Sequence, residues 1–197
     1  MNFTQWLSEY AVEIVGACFS LLYLWLEIKQ RKAMWIVGII SSLFYVYIFY
    51  IGKIYADMGM NVYYILASIY GLVLWQRNAK QSENKKPITV SHTTLKTALR
   101  LSIVTIFFFA ILAFILVRFT DSPVPYIDAL TTALSITAMW MLAHKLIEQW
   151  HVWFVVNIIS MTLYFYRGLY PTSILFLIYS IASIIGYYQW EKELKKN

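Results

Sequence analysis

The sequence predicts an all-α integral membrane protein with seven transmembrane helices in a 3+1+3 parallel repeat, N-terminus outside and C-terminus inside. Three observations lead there. The 197 residues are 60% hydrophobic and only 13% charged, whereas about a quarter of a soluble globular chain is charged. The apolar residues form seven continuous runs, each near the roughly 20 residues that cross a bilayer as a helix. The chain also echoes itself. Residues 64–75 and 179–190 agree at six of twelve positions: Tyr64/Tyr179, Ala67/Ala182, Ser68/Ser183, Ile69/Ile184, Gly71/Gly186 and Trp75/Trp190. A second echo sets the run from Trp35 to Ser42 beside the run from Trp153 to Ser160.

The first run, 9–28, is preceded by no basic segment and followed by Lys29, Arg31 and Lys32. That is a stop-transfer flank, so the first helix is expected to be retained. Glu13 lies about one turn inside it, where it either binds a proton or a cationic ligand or reaches water at the outer boundary. Cys18 is the single cysteine. No intrachain disulfide can form, and a packing role is expected.

The second run spans 33–52 and the third 58–76. In the third, Tyr64, Ser68, Gly71 and Trp75 are spaced i, i+4, i+7, i+11 and share a face. Small residues on such a face let helix backbones approach, so helix packing is the favoured reading. Asn61 is the polar residue there that best suits a ligand. Residues 77–98 form a polar linker centred on Lys85-Lys86-Pro87, read as a solvated connector. The fourth run, 99–117, is rich in Phe, Ile and Leu and matches neither repeat, which makes it the bridging helix.

The fifth run, 126–147, opens with Asp128, a possible N-cap. Its Thr131, Thr132, Ser135 and Thr137 are expected to bond to the backbone four residues earlier. The sixth run, 150–167, carries Trp150, Trp153 and Asn157 at i, i+3, i+7, with Tyr164 two turns further on the same stripe. Two indoles with an amide beyond them suit a flat, electron-poor ring, and each aromatic contact with a cationic ring adds about 0.5–2 kcal/mol. Trp150 fits an interfacial belt equally well. Asn157, near mid-membrane, points to a site. The seventh run, 171–190, repeats the stripe as Tyr179, Ser183, Gly186 and Trp190.

The units are therefore 1–76, a linker 77–98, a bridge 99–117 and 118–197. With the N-terminus outside, thirteen Lys and Arg fall on inside segments and only Lys53, Arg118 and Arg167 outside, the bias expected of seven spans. Three helices plus one restore the original orientation, so the repeats are parallel. The net charge of +6 sits between the apolar runs as a topology signal, which argues against nucleic acid as a partner. Motifs for metallohydrolases, serine hydrolases, nucleotide loops and thiol pairs are missing, so neither catalysis nor a cofactor is expected. The rivals are a membrane lipid transferase, which would need an acid–base pair at depth, and a recognition subunit served by partner ATPases.

Several runs are similar to those of the bacterial PnuC-type vitamin transporters. They are Asp128-Ala-Leu-Thr-Thr-Ala-Leu-Ser, Glu148-Gln-Trp-His-Val-Trp-Phe-Val-Val-Asn157, Leu163 to Tyr170, Ser68 to Trp75, Tyr55-Ala-Asp-Met and Glu13-Ile-Val-Gly16. The resemblance covers essentially the whole chain. It implies a fold like that of the SWEET sugar transporters, a homotrimer, and a place in the bacterial inner membrane. It also implies nicotinamide riboside uptake by facilitated diffusion, with trapping by a cytoplasmic kinase; relatives carry thiamine or riboflavin. Its substrate motif falls on Trp150, Trp153 and Asn157. Riboside carriers usually have Gln where this chain has Asn61, and Gly-Trp where it has Gly71-Leu72. Tyr64, Tyr164 and Glu13 complete the expected small-molecule site.

Overall fold

The computed structural model describes residues 3–51, 55–80 and 88–196. Among them are seven helices: α1 Phe3–Ile28, α2 Ala33–Ile51, α3 Tyr55–Lys80, α4 Leu95–Phe119, α5 Pro125–Ala143, α6 Gln149–Tyr166 and α7 Tyr170–Leu194. They belong to two units, residues 1–85 and 86–197.

In the first unit α1 packs on α2 and α2 on α3. α1 is closed by Gln30, two residues past its end, which takes a left-handed conformation (φ 50°). Its N–H donates to the Glu27 carbonyl, and the Arg31 N–H donates to Leu26. This is the paired closure of a helix C-terminus, in which a residue with positive φ satisfies the last carbonyls. The α2–α3 contact is built on Trp35. Its ring is wholly buried, lies where Gly71 leaves out a side chain, and meets the edge of Trp75 at 5.5 Å and 88°.

The second unit repeats each of these details 115 residues later, from Gln30 to Lys145 and from Gly71 to Gly186. Lys145 has φ 53°, and the N–H groups of Lys145 and Leu146 donate to Leu142 and Met141. Trp150 fills the space at Gly186 and meets Trp190 at 5.6 Å and 89°. The structure thus pairs Trp35 with Trp150, three residues from the match to Trp153 that the apolar pattern suggests. At this spacing Gly38 corresponds to Trp153 and Ser42 to Asn157. An apolar run of similar residues aligns almost equally well at several registers. The glycine that accepts the indole permits one.

Within this unit α4 packs on α5, α5 on α6 and α6 on α7. Thr105 and Thr137 bond at 2.6 Å between α4 and α5. Among the described residues, four helical stretches are long and apolar enough to cross a membrane: Met58–Arg77, Leu95–Phe119, Pro125–Ala143 and Tyr170–Leu194. Only Ala113 of α4 is buried, while Ile103, Ile106, Phe107 and Phe114 are exposed. An apolar surface of this extent is stable in acyl chains, not in water. The chain is a multi-pass membrane protein.

Three local expectations are corrected. α3 runs on to Lys80 and α4 begins at Leu95, which shortens the linker at both ends. The cause at α4 is Thr94, whose hydroxyl accepts the Thr97 N–H at 3.3 Å as an N-cap. Residues 88–94 are also not a free connector. Val90 is buried, and Ser91 exchanges backbone hydrogen bonds with Lys145 and Ile147 in the α5–α6 turn, at 3.2 and 3.1 Å. Finally, Asp128 is not the cap of α5. The helix starts at Pro125, pre-set for a first turn, and Asp128 accepts a 2.6 Å bond from Ser122. The hydroxyls of Thr131, Ser135 and Thr137 do donate to the carbonyls of Ile127, Thr131 and Ala133.

Candidate functional site

The α6–α7 pair assembles the strongest set of groups. α6 closes at Arg167 and Gly168 (φ 73°), with the N–H groups of Gly168 and Leu169 donating to Phe165 and Tyr164. α7 then begins at Tyr170, with Pro171 in its first turn. This tight turn holds the two helices antiparallel, and the Trp150–Gly186 contact fixes their register near the other end.

Asn157 is 6% exposed. Its Nδ2 donates to Ser183 Oγ at 3.3 Å, and Ser183 in turn donates to the Tyr179 carbonyl at 2.9 Å. An asparagine amide offers two N–H donors and a carbonyl. Ser183 uses one donor, and the rest of the amide edge can meet a ligand. One turn before Asn157 lies Trp153. It is half-buried, and its indole Nε1, like those of Trp35, Trp150 and Trp190, is buried with no hydrogen-bond partner. A buried donor of this kind costs about 1–3 kcal/mol until something accepts from it. A ring bearing an acceptor, laid against Trp153 and Asn157, would satisfy both.

The other expected residues take different positions. Trp150 is 1% exposed and packed between Gly186 and Trp190, so its ring serves the α6–α7 contact. Tyr164 stacks on Phe176 of α7 at 5.3 Å and 15°. In the first unit Asn61 and Tyr64 are half-buried on α3, and Tyr64 lies against Tyr63. Glu13 is on α1, but its side chain lies outside the described residues. Ser183, on the stripe that the sequence assigns to helix packing, accepts from Asn157 and so joins the candidate residues. The signal for it in the sequence was its place one turn before Gly186 on the seam that faces α6. An open groove at the other end of the pair is lined by Met161, Thr162, Phe165, Tyr166, Ser173, Ile174 and Leu177. It is almost wholly apolar and holds none of the polar candidates. Among the described residues no three of His, Cys, Asp and Glu converge as metal ligands.

Residues 10–192 match the family model described as nicotinamide mononucleotide transporter. The chain belongs to that family. Relatives within reach are transporters. The nicotinamide riboside transporter PnuC of Escherichia coli is 24% identical over 91% of this chain and 84% of its own length. That of Neisseria mucosa is 26% identical over all of this chain and 76% of its own. The riboflavin/roseoflavin transporter RibM of Streptomyces davaonensis is 22% identical over 90% and 83%. The crystal structure of the vitamin B3 transporter PnuC shares the fold, with a TM-score of 0.75 at 23% identity, over 96% of this chain and 84% of that one. In a membrane helix an amide such as that of Asn157 serves either function or helix contact.

Proposed function

We propose that this protein carries a cationic heteroaromatic vitamin, nicotinamide riboside, across the bacterial inner membrane by facilitated diffusion. The observation that carries the reading is the Asn157–Ser183 pair beside Trp153, in a chain of this family. Trp153 stacks on the ring and Asn157 bonds its substituent. Asn61, Tyr64, Glu13 and Tyr164 are the further candidates for ligand contact. Trp150, wedged at Gly186, closes the inner side by holding α6 against α7.

The seven helices form a 3+1+3 parallel repeat with α4 as the bridge, the N-terminus outside and the C-terminus inside. The matched turns at Gln30 and Lys145 and the matched indole–glycine contacts support this arrangement, and the thirteen-to-three bias of basic residues supports the orientation. The working form is a trimer. Phosphorylation by a cytoplasmic enzyme traps the arrived vitamin, since added negative charge bars return through an apolar path.

Thiamine is the second reading. Asn61 and Leu72 replace the Gln and Trp of typical riboside carriers, and thiamine also carries a flat cationic ring. Proteoliposomes holding the purified chain and offered labelled nicotinamide riboside, thiamine and riboflavin test both. Uptake of nicotinamide riboside above the other two is expected. Preference for thiamine would shift the substrate, and uptake of none would end the transport reading.

A further inference from the structure

Glu148 closes a clasp in the second unit. It is the residue before α6, and both its carboxylate oxygens are engaged by residues 92 and 93. The Thr93 N–H and hydroxyl donate to Oε2 at 2.9 and 2.6 Å. The His92 Nδ1–H donates to Oε1 at 2.8 Å. Just upstream, Ser91 pairs with the backbone of the α5–α6 turn on both sides of Leu146, and Val90 is buried. Five hydrogen bonds along residues 91–93 make a strap, not a passing contact. Burial raises the Glu148 pKa, but the bonds from Thr93 and His92 outweigh it and hold the carboxyl below its ordinary value. It is therefore an ionised acceptor, and bonds to an ionised group are the stronger kind.

The strap starts α4 at one end and grips the root of α6 at the other. Glu148 stands two residues before Trp150, the indole that sets the α6–α7 register. Trp153 and Asn157 follow Glu148 by five and nine residues, on α6. A side chain on a helix moves with the first turn of that helix, because the backbone hydrogen bonds make the turns a single body.

We infer that Glu148 is a positioning residue for vitamin recognition: clasped by Thr93 and His92, it fixes the first turn of α6 and so sets where Trp153 and Asn157 meet the ligand. This rests on the transport reading for its ligand, but its structural half stands apart from it.

The test uses the full chain in detergent, with Glu148→Ala, Glu148→Gln, Thr93→Val and the Glu148→Ala/Thr93→Val pair. Binding of nicotinamide riboside, then thiamine, is measured by calorimetry. The indole N–H signals are followed by nitrogen-15 NMR, with that of Trp153 assigned from Trp153→Phe. Glu148→Ala and Thr93→Val should each weaken binding about three- to tenfold, the scale of one ordinary hydrogen bond. The pair should be no weaker than Glu148→Ala alone, and Glu148→Gln, which keeps an acceptor for Thr93, should lie between. The Trp153 indole signal should move in Glu148→Ala and Thr93→Val while that of Trp35 stays. A lowered melting temperature with binding and the Trp153 signal unchanged would make Glu148 a structural clasp only and overturn the inference. So would additive losses in the pair. If the parent chain binds none of these vitamins, the transport reading fails, and the Trp153 signal alone then decides whether the clasp reaches that indole.

Discussion

Adding one methyl group at Gly186 should destabilise this protein, although alanine is the better helix former. A Cβ there would fall 2.5 Å from Cη2 and Cζ2 of Trp150 and 2.6 Å from Cζ3, well inside the ~3.5–4.0 Å of carbon contact. The ring cannot yield easily, because it is 1% exposed and its far side meets Trp190. Overpacking of this kind costs about 1–3 kcal/mol. Helix propensity returns about 0.8–1 kcal/mol. A net loss of up to about 2 kcal/mol remains, or up to roughly 8 °C of melting temperature for a chain of this size. Gly59, exposed on α3 with nothing near its missing side chain, is the control: Gly59→Ala should raise stability by about 0.5–1 kcal/mol. Thermal melts in one detergent, followed by circular dichroism, compare the two. Trp150→Leu should relieve Gly186→Ala, so that the pair loses less than the sum. If Gly186→Ala melted at or above the parent temperature, or if Trp150→Leu gave no relief, the indole–glycine wedge would not be what registers α6 on α7.

Three further outcomes are expected. Asn157→Ala should weaken vitamin binding by about 1–3 kcal/mol, the scale for losing a buried hydrogen bond, and Ser183→Ala should weaken it less; calorimetry that found Asn157→Ala unchanged would make that amide structural. Gln30→Gly and Lys145→Gly should each raise the melting temperature, since relief of a non-glycine residue in the left-handed region is worth about 1–2 kcal/mol before the entropy of glycine is subtracted. The clasp should also be acid-sensitive. Because the Glu148 pKa is lowered on folding, its contribution is complete above the unfolded value of about 4.3 and is lost as pH falls through the lower folded value; the stability gap between parent and Glu148→Gln, measured by melts from pH 7 downward, should be flat at first and close only in that acid range.

How much of this was legible in the sequence differs from element to element. α4 was plain, because nothing polar interrupts it. The stripe of Asn157 and Trp153 was plain too, because helical spacing depends only on residues a few places apart. The role of Trp150 was not: an indole near a helix end looks the same in a belt, a site or a wedge, and what separates them is the glycine on another helix. Asp128 resembled a cap until Pro125 was seen to start the helix one turn earlier. The linker offered no apolar pattern, and its clasp depends on Glu148, fifty-five residues from Thr93.

The order of the helices, their apolar character, the family and the polar groups placed at depth follow from the sequence alone, because each rests on composition or on short-range periodicity. The register of the repeat, the partner of Asn157 and the clasp on Glu148 were decided only by the tertiary structure. They are contacts between distant segments, and a contact of that kind is set by which shapes fit together, a property that no single stretch of chain contains.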